Sequence, residues 1–227
     1  MTDTSLSPVL SLRDVELTLM AASGPVHILD HVSLDVRHGE SVAIVGPSGS
    51  GKSSLMAVSA GLERATSGEI ILLGDPVTGR NEGELARLRR GRVGFVFQSF
   101  HLMPTMTALE NVMAPLEIAR QDQVRDRAAD ALALVGLEHR LTHYPGQLSG
   151  GEKQRVAVAR ALAVGPEMIF ADEPTGNLDS AAGSMIADFL FEASRQHGAA
   201  LVLVTHDREL ASRADRIVEM RDGAIQS

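Results

Sequence analysis

The sequence Gly46-Pro47-Ser48-Gly49-Ser50-Gly51-Lys52-Ser53 follows the apolar run 42–45 and precedes a helical pattern that begins at Ser54. It matches G-x-x-x-x-G-K-[ST], in which backbone N–H groups of a glycine-rich loop and the N-terminus of the next helix bind phosphate. Lys52 is then expected to contact the β- and γ-phosphates, and the Ser53 hydroxyl to hold Mg²⁺. The alternative is an ordinary glycine-rich turn. The chain has only two lysines, Lys52 and Lys153, so a chance lysine here is disfavoured.

Composition indicates one globular domain with a substantial core, because 44% of the 227 residues are hydrophobic and 22% are charged. Residues 1–5 lack the pattern of a secretory signal, and no apolar run approaches the ~20 residues that span a membrane, so a cytosolic chain is expected. The absence of cysteine excludes disulfides and cysteine-ligated metals. The net charge of -8 argues against nucleic acid as the main partner.

Hydrophobic periodicity predicts an α/β chain. Alternating apolar residues predict antiparallel strands at 9–20 and 28–36, joined by a turn at 22–25. Further strands are predicted at 42–45, 68–73, 93–97, 168–171 and 200–204, with a closing hairpin at 217–220 and 224–225. Helices are predicted at 54–60, 84–90, 150–164 and 180–196. From Gln98 to Gly146 the pattern is helical and resembles an insertion, with one apolar face formed by Val124, Ala128, Ala131, Leu132 and Val135.

Two carboxylates, Asp172 and Glu173, end the apolar strand at 168–171. Open α/β sheets place their ligands at this edge. Asp172 is expected to orient Mg²⁺, and Glu173 to polarise the attacking water. The alternative is an acidic pair without a catalytic role. The phosphate loop upstream favours catalysis, because phosphoryl transfer needs both a metal holder and a group that positions water.

The run Leu148-Ser149-Gly150-Gly151-Glu152 precedes a predicted helix and permits two interpretations. It is either a capping box, with Ser149 as N-cap and Glu152 three residues later, or a loop whose backbone approaches a phosphate. A capping box alone leaves the two glycines unexplained, because glycine in a first turn lowers helix stability.

With these motifs in this order, residues 9–225 resemble the ATP-binding subunits of ABC transporters, whose signature motif is similar to residues 148–152. The resemblance implies a RecA-like P-loop core with an N-terminal antiparallel β-subdomain and an inserted helical subdomain at about 99–155, all in a single nucleotide-binding domain, 1–227. It implies ATP and Mg²⁺ as cofactors. Gln98 matches the glutamine of the family that senses Mg²⁺ and the γ-phosphate. Asp179 matches a loop that communicates across the dimer. His206 matches a histidine that contacts the γ-phosphate.

The finer resemblance is to the lipoprotein-release, macrolide-export and cell-division ATPases, and within them to the YbbA-like branch. It rests on residues 94–100, 108–112 and 171–179. It implies an FtsX/MacB-like integral-membrane permease as a separate chain, a position on the inner face of the plasma membrane, and a head-to-tail homodimer with ATP at the interface. The expected roles are export, lipoprotein or lipid extraction, or mechanotransmission. Alternatives are a regulatory ATP-dependent module of a cell-envelope complex, or a DNA-repair ATPase, which the missing long insertions oppose.

Two features of the sequence bear on the base and on the partner. Family members stack adenine on an aromatic residue upstream of the phosphate loop, but residues 17–26 contain none, so aliphatic contacts from Leu19, Met20 or Val26 are expected instead. Downstream of Gln98, large apolar residues are dense over 100–113. Leu109 and Met113 are expected to pack on the core. The residues expected to line a groove for a helix of the membrane subunit are Leu102, Met103 and Met106.

Overall fold

The computed structural model describes residues 7–22, 24–178 and 180–226. The chain forms two compact units, one from Met1–Arg89 with Ala200–Ser227 and the other from Arg90–Ala199. The first unit therefore combines both ends of the sequence. Among the described residues, every helix is too short or too polar to cross a lipid bilayer.

The elements of the first unit come from two stretches of chain. Its N-terminal part contains β1 (Leu10–Ala21), β2 (Gly24–Val36), β3 (Ser41–Val45), α1 (Lys52–Ser59), β4 (Ser67–Leu72), β5 (Asp75–Pro76) and α2 (Glu82–Arg89). The second unit contains β6 (Val93–Val96), α3 (Ala108–Ile118), α4 (Val124–Leu134), α5 (Gly150–Leu162), β7 (Met168–Asp172) and α6 (Ser180–His197). The chain then returns to the first unit with β8 (Ala200–Val204), α7 (Arg208–Ala211), β9 (Arg216–Arg221) and β10 (Ala224–Ile225).

The first unit has an antiparallel sheet with the strand order β2-β1-β4-β5. The alternation that predicted these strands places Val15 and Leu17 in the core. The β1–β2 ladder extends to the pair Ala21 and Gly24, so the predicted turn at 22–25 is too long, and Pro25 already lies in β2. Ser23 lies outside the described residues. The antiparallel pairing predicted from the alternation is confirmed.

The first unit also has a parallel layer, in which β3 pairs with β8 on one side and β9 on the other. Every residue of β8 is at most 1% exposed. Continuous apolar strands of this kind are buried on both faces, as in α/β proteins. The Thr205 N–H donates to the Ile44 carbonyl oxygen at 3.2 Å. The segments that follow β3 and β8 therefore leave the sheet at the same edge.

In the second unit, β6 and β7 pair in parallel, from Val93 with Met168 to Val96 with Ala171. Helices α3, α4 and α5 pack on one another. The predicted apolar face of α4 is buried at Ala128, Ala131, Leu132 and Val135, whereas Val124 is partly exposed.

The helical prediction from Gln98 onward is wrong for its first ten residues, because α3 begins only at Ala108. Thr107 caps this helix, and Pro104, which has no N–H, lies in the irregular segment before it. Helix α7 and the two-residue strand β5 were not predicted.

Candidate functional site

The phosphate loop (residues 46–53) connects β3 to α1 and runs against the backbones of β9 and β2. Gly46 has φ 153°, and a Cβ there would lie 2.0 Å from the Met220 carbonyl oxygen. Gly51 has φ 93°, and its Cβ would lie 2.7 Å from the Ile28 carbonyl oxygen. Only glycine fits these two positions, so the sequence pattern has a steric cause in the fold itself.

Lys52 is held inside this loop and is only 8% exposed. Its Nζ donates to the carbonyl oxygens of Gly46 at 2.9 Å and Pro47 at 2.8 Å, with the Ser50 hydroxyl at 3.4 Å. Pro47, Ser48 and Gly49 form the exposed crest of the loop. The loop therefore surrounds a positive charge that is shielded from solvent.

The N-terminus of α1 is open to an anion. Its N-cap is Gly51, so no side chain caps the helix, and its first turn holds no acidic residue. Ser53 is exposed and Ser54 partly exposed in that turn. Because the first N–H groups of a helix need acceptors and carry the positive end of its dipole, this end suits a phosphate.

His206 lies at the same sheet edge, two residues after β8. The preceding Thr205 is fully buried, and its hydroxyl accepts a hydrogen bond from the Asp207 N–H at 3.0 Å. Asp207 in turn caps α7 by accepting from the N–H groups of Glu209 and Leu210 at 2.8 and 3.2 Å. The backbone is thus fixed on both sides of an exposed imidazole.

In the second unit, the carboxylate pair ends β7. Asp172 is the last residue of the strand, and Glu173 adopts a left-handed conformation with φ 45°. A non-glycine residue in this region costs on the order of 1 kcal/mol and persists only where the surroundings impose it. One carboxylate oxygen of Glu173 is buried, and its carbonyl accepts from the Gly176 N–H at 3.1 Å. Backbone strain of this kind is concentrated at functional sites.

Gln98 follows β6 by two residues and lies against the turn that follows Glu173. The Asn177 side chain donates to the Gln98 carbonyl oxygen at 3.0 Å. A Cβ at Gly176 would lie 3.1 Å from Gln98 Nε2. The structure therefore brings Gln98 to the carboxylate turn. The sequence does not reveal this role of Asn177, although the residue lies within 171–179, because its partner is 79 residues away in sequence.

The Ser149-Gly150-Gly151 signature opens α5, and the capping-box interpretation is confirmed. The Ser149 hydroxyl accepts from the Glu152 N–H at 3.2 Å, and Glu152 accepts from the Ser149 N–H at 2.8 Å. Arg140 donates to the same carboxylate at 2.7 Å. The bond from the Ser149 backbone, then those from the Ser149 side chain and Arg140, lower the pKa of Glu152 to about 2.

No neighbouring atom of the described chain requires glycine at either position of the signature. A Cβ at Gly150 would meet no described atom within 4 Å, and one at Gly151 would lie 3.7 Å from the Ala182 Cβ. Both face a cleft of about 490 Å³ that Asn177, Leu178 and Met185 also line. Asp179, the predicted dimer-communication residue, lies outside the described residues.

The residues predicted to hold Mg²⁺ are Ser53, Gln98 and Asp172. A hydroxyl, an amide and a carboxylate supply the oxygen ligands that Mg²⁺ prefers. The described residues contain no cluster of three or more His, Cys, Asp or Glu that could hold a metal ion. Each of the three side chains is of a type that fits Mg²⁺ bound mainly through phosphates and water, the usual arrangement at nucleotide sites.

Comparison with known proteins gives a consistent result. Residues 29–176 match the family model described as ABC transporter. The chain is 51% identical over 201 residues to YbbA of Escherichia coli (strain K12), an ABC transporter ATP-binding protein, covering 88% of each chain. It is 46% identical over 221 residues to LolD 2, a lipoprotein-releasing system ATP-binding protein of Caulobacter vibrioides, covering 96% of this chain and 97% of that one.

A solved structure shares the fold. The ATP-binding cassette MJ0796, in a dimeric post-hydrolysis state bound to ADP and Pi, superposes with a TM-score of 0.91 at 39% identity. The match covers 96% of this chain and 97% of that one. The predicted fold class is confirmed by this likeness and by the antiparallel and parallel layers.

Proposed function

The chain belongs to the ABC transporter family as an ATP-binding subunit, and on that premise we propose that it is an Mg²⁺-dependent ATPase that drives a separate FtsX/MacB-like permease. The relatives named for lipoprotein release favour extraction of a lipoprotein or lipid, or a related export or mechanotransmission step. The chain then works on the inner face of the plasma membrane, as a single nucleotide-binding domain with its helical subdomain at about 99–155.

The phosphate loop carries this proposal. Lys52, held by the Gly46 and Pro47 carbonyls, and the open N-terminus of α1 supply the donors for the β- and γ-phosphates. Ser48, Gly49, Ser50 and Ser54 complete the contacts to the phosphates.

The remaining roles fall to side chains at the strand ends. Glu173, whose backbone is held in a left-handed conformation, orients the attacking water. His206 contacts the γ-phosphate. Ser53, Gln98 and Asp172 would hold Mg²⁺, which neutralises charge on the transferred phosphoryl group when bound.

We further propose a head-to-tail homodimer in which the signature of one subunit completes the nucleotide site of the other. The support is the pair of glycines, Gly150 and Gly151, which open onto a cleft and have no steric cause within the described chain. Glycine allows a close backbone approach to phosphate, so a ligand carried by a second copy would explain both positions. Asp179 would contact the partner copy at the same interface.

For the base, the apolar tip of the β1–β2 hairpin is the proposed contact. Leu19, Met20 and Val26 are 43%, 79% and 41% exposed, and Leu19 pairs with Val26 across the ladder. This pair follows Leu17 and Leu29 along the same strands, and a Cβ on Gly51 of the phosphate loop would lie 3.2 Å from Leu29 Cδ2. The loop thus touches the pair of strands that leads to the hairpin tip, where the exposed Leu19 and Val26 lie two and three residues further on.

For the permease, the proposed contact is the segment after Gln98. Met103 is 36% exposed, whereas Leu102 and Met106 are partly buried, and Leu109 belongs to the core. The surface available to a partner is thus centred on Met103. Methionine suits such a surface because its flexible side chain repacks around what it contacts.

The proposed function is tested with Glu173→Gln, which keeps the shape of the side chain but removes its charge. ATP binding should persist while turnover falls by roughly 10²- to 10⁴-fold, and ATP should now trap a dimer in size-exclusion chromatography with light scattering. Glu138→Gln, at an exposed carboxylate before α5, is the matched control and should hydrolyse ATP normally. Hydrolysis by Glu173→Gln at close to the wild-type rate would show that the assignment is wrong.

A further inference from the structure

The Gln98 segment (residues 98–107) has a defined but strained backbone. It contains no helix or strand, and its residues Phe100 and His101 are consecutive left-handed residues with φ 60° and φ 47°. Each non-glycine residue in this conformation costs on the order of 1 kcal/mol, and the cost is borne only where other contacts impose it. Some other part of the second unit must therefore hold this pair.

Arg160 of α5 supplies that contact. Its Nη1 donates to the His101 carbonyl oxygen at 2.6 Å, and its Nη2 to the Phe100 carbonyl oxygen at 2.7 Å. Within the described residues no carboxylate pairs with Arg160, and desolvation lowers the pKa of its guanidinium. A partly buried charge is thus satisfied by two carbonyls in a forked geometry that lysine cannot reproduce.

The same turn of α5 also lies directly on the strand before Gln98. A Cβ at Gly94 of β6 would lie 2.6 Å from the Ala161 carbonyl oxygen, so α5 and β6 are in backbone contact there. The His101 ring packs against Phe97 with a centroid distance of 4.8 Å. Helix α5 therefore holds the chain on both sides of Gln98, at Gly94 before it and at Phe100 and His101 after it.

We propose that Arg160 is a positioning residue that couples the Ser149-Gly150-Gly151 signature to Gln98. The signature and Arg160 lie on one continuous helix, separated by 11 residues or about 16 Å of rise. When the signature binds nucleotide, a shift of α5 is transmitted through the Arg160 guanidinium to the Gln98 segment. The position of the Gln98 side-chain amide then changes. This inference rests on the proposed function, because it gives Gln98 its Mg²⁺-sensing role.

The first measurement is amide hydrogen exchange in the wild type, Arg160→Lys and Arg160→Met, without nucleotide. Both variants should lose protection over residues 99–102, while β7 keeps its wild-type exchange. The control is Arg127→Met, which removes another bond from an arginine to a backbone carbonyl, that from Arg127 to Ala163 at the C-cap of α5 at 3.2 Å. It should leave the exchange of residues 99–102 unchanged. Wild-type exchange over 99–102 in both Arg160 variants would overturn the proposal.

The second measurement is the Mg²⁺ concentration for half-maximal ATP hydrolysis. Loss of a group that positions a metal ligand lowers the affinity for the metal by about 10- to 100-fold. Both Arg160 variants should therefore need that much more Mg²⁺ for half-maximal hydrolysis, while ATP binding in EDTA stays unchanged. An unchanged Mg²⁺ requirement counts against Arg160 as a positioning residue. If the wild type itself hydrolyses no ATP, the proposed function fails, and the exchange measurement still decides whether Arg160 holds the segment.

Discussion

Asn111 is a fully buried amide on α3 that shapes the end of the Gln98 segment. Its Oδ1 accepts from the Met103 N–H at 2.8 Å. Its Nδ2 donates to the carbonyl oxygens of Met103, Met106 and Thr107 at 3.2, 3.0 and 2.9 Å. Replacing Asn111 with Ala removes all of these bonds and leaves backbone groups without their partner.

The loss can be worked out from these contacts. Two amide hydrogens serve three carbonyls, so about three full bonds are lost in all, each with a net value of about 0.5–1.5 kcal/mol. Met103 is 36% exposed, and water can replace part of what its backbone loses. We therefore expect Asn111→Ala to lower the free energy of unfolding by about 2–3 kcal/mol. With a urea m-value of about 2 kcal/mol/M, the midpoint should fall by about 1–1.5 M.

The assay is urea denaturation followed by circular dichroism. Glu117→Ala, at an exposed position of the same helix, controls for changes in helix propensity and should stay within about 0.5 kcal/mol of the wild type. Asn111→Asp should be worse than Asn111→Ala, because it places a carboxylate against three carbonyl oxygens. The reasoning is refuted if Asn111→Ala moves the midpoint no further than Glu117→Ala.

Three further predictions concern acid stability, the base and the permease. Hydrogen bonds from Ser149 and Arg140 lower the pKa of Glu152 from 4.5 to about 2. The contribution of the ionised Glu152 to the stability of the fold is therefore fully present above pH 4.5 and is lost as the pH falls toward 2. Glu152→Gln should flatten that part of the stability–pH curve, measured as urea midpoints. If only aliphatic contacts at Leu19 and Val26 hold the base, the affinities for ATP and GTP should differ by less than a hundredfold, about 2.7 kcal/mol, in a competition assay. Met103→Glu should abolish co-purification with the permease while basal ATPase stays near normal; normal assembly would place the contact elsewhere.

Much of the fold was predictable because its signals are local. The phosphate loop, the strand before it and the helix after it occupy one short run, and the need for glycine at 46 and 51 arises within that run and the strands beside it. Buried parallel strands such as β8 are apolar throughout, and the antiparallel pair alternates, so each was recognisable from sequence alone. The capping box at Ser149 was likewise evident from residues three apart.

The Gln98 segment was not predictable, because residues distant in sequence impose its conformation. The helical pattern from Gln98 onward predicted a helix here, yet Arg160, about 60 positions away, bonds two residues in a left-handed conformation that their own preferences oppose. Asn111 then supplies the bonds that a regular element would have made internally. Neither role can be read from a single residue type, since buried asparagine and arginine occur in many settings.

The signature glycines allow stability and activity to be separated in one experiment. Gly150 and Gly151 lie in the first turn of α5 and have ordinary helical dihedrals, and described atoms leave room for a Cβ at both. Alanine there should therefore leave the fold intact or stabilise it by up to about 1 kcal/mol, because it restricts the unfolded chain. If a nucleotide held by a second copy must approach this backbone, the same Gly151→Ala change should prevent the ATP-dependent dimer, although nucleotide still binds at Lys52. Light scattering in the Glu173→Gln background tests this directly. A Gly151→Ala protein that still forms the ATP-trapped dimer would mean that the glycines serve something other than the proposed interface.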